Sequence, residues 1–87
     1  MATRQSVDEL LQKCEEAVLY GQEQYNSASR QEHYDDEEFT SALQMLETAY
    51  NDLAQLALSA NSEQRELLHR KRLQLQQLQN SLILLDH

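Results

Sequence analysis

SANSEQ, residues 59–64, lies between two long stretches of helix-forming residues, and its reading decides the fold. If one helix runs through it, the chain is a long helical hairpin whose apolar face needs a second copy to cover it. If it interrupts the helix, three segments of similar length can close on one another. Asn61 favours the interruption. Its short amide side chain competes for backbone hydrogen bonds, so it ends one helix or caps the next, with Gln64 at the third helical position. Ser62 is an almost equally good cap, which leaves the boundary open by about two residues.

The flanking segments carry helical periodicity. Upstream, Phe39, Ala42, Leu43, Leu46, Ala49, Tyr50, Leu53, Leu56, Ala57 and Ala60 recur at three- and four-residue steps, the spacing of one helix face. Downstream, the stripe runs Leu68, Leu75, Leu78, Leu82 and Leu85, with the aliphatic stem of Lys71 at the missing position. A third stripe, near the N-terminus, takes Val7, Leu10, Leu11, Cys14, Ala17, Val18, Gly21, Tyr25 and Ala28. Ser6 followed by Glu9 reads as its capping box. Asn and Ser in NSASR, residues 26–30, weaken its end.

EHYDDEEF, residues 32–39, reads as the start of the middle helix. Asp35 as N-cap puts Glu38 at the third helical position, Asp36 and Glu37 in the dipole-favoured first turn, and Tyr34 with Phe39 in a hydrophobic staple. The expected helices span about 6–29, 35–60 and 62–85, roughly 35–39 Å each at 1.5 Å per residue. Equal helices with short connections predict an all-α fold, an antiparallel up-down-up three-helix bundle in one domain covering residues 1–87. The alternative is the dimerising hairpin.

Composition agrees. There is no proline and a single glycine, Gly21, in 87 residues, where average usage gives about four and six. Helices therefore run without punctuation. A net charge of −8 works against non-specific contact with nucleic acid or anionic lipid. One cysteine rules out an internal disulfide and suits a reducing compartment. MATRQSVDELLQ lacks the apolar run of a secretory signal, and no stretch has the length of a membrane span. The expected location is the cytoplasm.

The sequence offers material for three chemistries. His33, Asp35, Asp36, Glu37 and Glu38 hold metal-ligating groups, but there is no glycine-containing cation loop and no further set of His or Cys ligands, and helix initiation accounts for the same residues. The basic run HRKR at 69–72, preceded by Arg65, suggests nucleic acid. Residues 70–72 nevertheless point in different directions at 100° each, no aromatic residue lies nearby to stack on a base, and Asp8, Glu9, Glu15 and Glu16 lie at the same end of an up-down-up bundle to neutralise it. Catalysis has little material: Cys14 sits on an apolar stripe, and His33, His69 and His87 are scattered one per region. The reading is a non-enzyme with no cofactor and no assigned metal ligands.

What remains is surplus hydrophobicity. Leu19, Tyr20, Met45, Leu58, Leu73, Ile83 and Leu84 lie off the stripes. Leu58, Leu73, Ile83 and Leu84 form the candidate partner surface, with Leu58 and Leu73 expected to meet at one end of the bundle. The opposite end gathers Glu32, Asp35, Asp36, Glu37 and Glu38, a candidate site for a basic partner. The expected function is protein–protein interaction or self-association, the chain itself being one possible partner.

MATRQSVDE at 1–9, RQEHY at 30–34, QREL at 64–67 and RLQLQQLQN at 72–80 are together similar to the YtzC-like family of short, uncharacterised helical proteins of Bacillus-type bacteria. The segments follow in the same order over essentially the whole chain. The resemblance implies a bacterial, cytoplasmic helical protein of unknown function, and it transfers no catalytic or binding residue.

Overall fold

A computed structural model describes residues 2–30 and 36–85. They form three helices, α1 (Arg4–Arg30), α2 (Asp36–Ala57) and α3 (Ser62–Leu85), and every pair is packed together. The body is long and narrow, 46 × 18 × 15 Å. The expected all-α three-helix bundle is therefore the observed architecture.

SANSEQ interrupts the helix, and the hairpin alternative falls with it. The end of α2 tightens. The amides of Leu58, Ser59 and Ala60 donate to carbonyls three residues back, on Gln55 (3.2 Å), Leu56 (3.1 Å) and Ala57 (3.3 Å). Such bonds consume carbonyls that a helix end otherwise leaves orphaned. Asn61 then caps α3. Its side-chain oxygen accepts the Gln64 amide at 2.8 Å, and Gln64 Oε1 accepts the Asn61 amide at 3.0 Å. Regular α-helix in the middle segment thus ends at Ala57 rather than near residue 60.

At α1 the expected cap is displaced by one turn. Thr3, not Ser6, is the N-cap: Thr3 Oγ1 accepts the Ser6 amide at 3.0 Å, and Ser6 Oγ accepts the Thr3 amide at 3.0 Å. Ser6 Oγ also donates to the Thr3 carbonyl at 2.9 Å. Glu9 instead accepts a bond from the Gln5 side chain at 3.1 Å. The physical reason is tertiary. The Ala2 amide donates to the Ser59 carbonyl at 3.0 Å, tying the chain just before Thr3 to the α2–α3 turn. The added turn also carries Val7 into the core. The proposed cap at Asp35 and the staple involving Tyr34 lie outside the described residues, while Phe39 is buried.

The core is built from heptad-spaced leucines. Leu46 and Leu53 of α2 and Leu68, Leu75 and Leu82 of α3 are fully buried, facing Cys14 and Val18 of α1. The buried residues of α1 other than Gln24 are small: Val7, Cys14, Ala17, Val18 and Gly21. Gly21 lies where all three helices converge, and a Cβ there would come within 2.8 Å of Leu78 Cδ2 and 3.3 Å of Leu46 Cδ1. Its lack of a side chain lets α1 sit close to both partners. The stripes missed one buried residue, Gln24.

Candidate functional site

The basic run is distributed as the helical geometry requires. Lys71 turns towards α1 and its Nζ donates to Glu15 Oε2 at 2.7 Å, one of the acids expected to neutralise it. Arg70 faces outward and pairs within its own helix with Glu66 at 2.8 Å. Both partners of that pair are exposed, so it contributes only about 0.3–0.5 kcal/mol. Arg72 turns towards α2. Its Nη2 donates to the Tyr50 hydroxyl at 3.0 Å, and its guanidinium lies 4.8 Å from the Tyr50 ring centroid. Arg65 donates from Nε to the Ala60 carbonyl at 3.0 Å, closing the α2–α3 turn.

An aromatic partner for the basic run therefore exists, contrary to the sequence reading, and it comes from α2. The antiparallel register is the missed signal. Tyr50 and Arg72 each stand eleven residues from Asn61, so a turn centred there brings them level. The same register separates Leu58 from Leu73. One is three residues from Asn61 and the other twelve, a difference of roughly 13 Å along the axis, so these two do not meet.

All four candidate surface leucine and isoleucine side chains stand in solvent: Leu58 is 80% exposed, Leu84 66%, Ile83 51% and Leu73 46%. Leu73 and Leu84, eleven residues apart, share the outward face of α3. Leu19, Met45 and Leu67 are also exposed. Tyr20 is half-buried and its hydroxyl donates to the Glu38 carbonyl at 3.4 Å, joining α1 to the start of α2.

Of the acidic candidates, Glu37 and Glu38 stand exposed in the first turn of α2, which begins at Asp36. Glu32, His33 and Asp35 lie outside the described residues. Among the described residues no three His, Cys, Asp or Glu side chains gather as a metal site. Cys14 is fully buried, and burial pushes its thiol up to about 11; nearby Lys71 partly opposes this and Asp52 adds to it. At neutral pH the thiol is protonated, unsuited to nucleophilic attack. An open groove of about 620 Å³ runs between α1 and α2, with Leu10, Ala17, Met45 and Ala49 on its walls and Lys13 and Asp52 at its rim. No helix among the described residues is long and apolar enough to cross a membrane.

A small all-α bundle with a sealed thiol and exposed leucines defines a structural class rather than an activity. The family model described as "Protein of unknown function (DUF2524)" matches residues 1–84, and the chain belongs to that family. Among its relatives is "Uncharacterized protein YtzC" of Bacillus subtilis (strain 168), 58% identical over 84 residues, which are 97% of this chain and 93% of that protein. The resemblance carried by MATRQSVDE, RQEHY, QREL and RLQLQQLQN is thus borne out. No solved structure matches the chain.

Proposed function

We propose that this chain works through protein–protein contact and performs no chemistry of its own. The observation that carries this is the exposure of Leu58, Leu73, Ile83 and Leu84 beside a core already filled by five fully buried leucines. None of these four residues belongs to the buried core. Covering them would supply about 25 cal/mol for each Å² of apolar surface removed from water, before the costs of association. A single thiol held inside the core suits work in a reducing cytoplasm.

Replacing Leu73 and Ile83 together by Glu is expected to abolish association, with helicity by circular dichroism unchanged because neither side chain is in the core. Cross-linking in bacterial lysate, compared between wild type and variant, is the measurement. An identical set of cross-linked products from both would refute the contact reading at these positions.

A further inference from the structure

The side of the bundle where α2 meets α3 holds charges that form no ion pair among the described residues. Arg72 marks this side through its bond to Tyr50. Ile83, eleven residues on, projects in nearly the same direction, as does Arg65, seven residues before. On α2, Tyr50, Ala54 and Leu58 follow at four-residue steps, and Glu47 lies on the adjacent row four residues beyond Leu43. Tyr50, Ala54 and Leu43 are half-buried, while Leu58 and Ile83 stand exposed at opposite ends of the face.

The ion pairs of α3 lie elsewhere. Arg70 pairs with Glu66 on the outward face and Lys71 with Glu15 towards α1. Arg65, Arg72 and Glu47 form no salt bridge among the described residues. Arg72 Nε is shut off from solvent without a bond, and Nη2 is held by Tyr50. The guanidinium is therefore anchored on an aromatic ring, and its other terminal nitrogen has no acceptor among the described residues.

We infer that this face docks a second copy of the chain, the two related by a two-fold axis running along the bundle. The inference rests on the contact reading above and names the partner. That operation lays α2 of one copy against α3 of the other and leaves every residue at its own height along the bundle. Tyr50 and Arg72 are level, so Glu47 of one copy comes within one turn of the height of Arg72 in the other, roughly 4.5 Å at 1.5 Å per residue. Long side chains span that offset.

Charge selects this arrangement. On this face α2 presents Glu47 and no Lys or Arg, while α3 presents Arg65 and Arg72. A two-fold axis across the bundle would instead stack α2 on α2, acid against acid. A second copy fits better than an unrelated protein because one face supplies both the cation and the carboxylate, the self-complementarity that a two-fold interface demands.

The test is molar mass by light scattering behind a sizing column, over a wide range of loading concentrations. Wild type is expected to rise from the 10.2 kDa monomer towards twice that mass. Glu47→Arg alone and Arg72→Glu alone should each weaken the dimer at least tenfold, and the two together should restore it. Glu47 is exposed and touches none of the core, so its variant bears the comparison if Arg72→Glu perturbs Tyr50. Wild type that stays monomeric throughout overturns the inference, as does a dimer indifferent to all three variants. A dimer broken only by Leu73→Glu with Leu84→Glu also overturns it, while leaving the broader contact reading intact on the outward face of α3.

Discussion

Cys14 shows how burial at a single residue sets both reactivity and pH response. Its thiol is raised from 9.0 to about 11, chiefly by burial. An unfolded chain ionises this group near 9 while the folded chain keeps its proton until about 11. Between those values the unfolded state binds fewer protons, so stability falls as pH rises, by about 1.4 kcal/mol per unit. Below pH 9 the contribution is fully present. Wild type should therefore lose stability to urea faster between pH 9 and 11 than Cys14→Ala does, since the two proteins differ only at this thiol. Equal slopes would show that the thiol is not shielded. The apolar positions around Cys14 made its burial legible in the sequence. The packing of Leu46 and Leu78 over Gly21 was not, because it depends on which turns of three helices fall level.

At the scale of the helix, the two described N-caps were unequally legible. Asn61 and Gln64 were readable because that pair stands at a break between two long stripes. At α1, Thr3 and Ser6 are hydroxyls three residues apart and each can cap. The choice is made by the bond from the Ala2 amide to the Ser59 carbonyl, between segments far apart in sequence, which local pattern does not contain. The two frames predict different variants. Thr3→Ala should cost about 1 kcal/mol by loss of a cap, whereas Glu9→Ala, an exposed residue outside the capping box, should shift the urea midpoint negligibly. A large loss for Glu9→Ala with none for Thr3→Ala would return the cap to Ser6. The pairing of Arg72 with Tyr50 was hidden for a related reason: it needs the turn placed at Asn61 to the residue, and the local pattern left that boundary open by two.

For the whole molecule, the division of side-chain size among the helices makes α1 a lid on a leucine-rich hairpin. α2 and α3 present Leu46, Leu53, Leu68, Leu75 and Leu82, all fully buried, while α1 answers with small residues. A fragment covering residues 36–85 would expose the part of that stripe which α1 covers, and a chain of this length buries too little surface to stand alone. It is expected to self-associate through that uncovered stripe. Adding a peptide of residues 1–30 should break up those assemblies into a one-to-one complex, since α1 restores the cover. Cys14 supplies the readout. Its thiol should react freely with a thiol reagent in the isolated peptide and become protected on mixing, as the complementing leucines close over it. A hairpin fragment that is monomeric and unfolds cooperatively by itself, or a Cys14 thiol that stays reactive in the mixture, would show that α1 is not what closes the core.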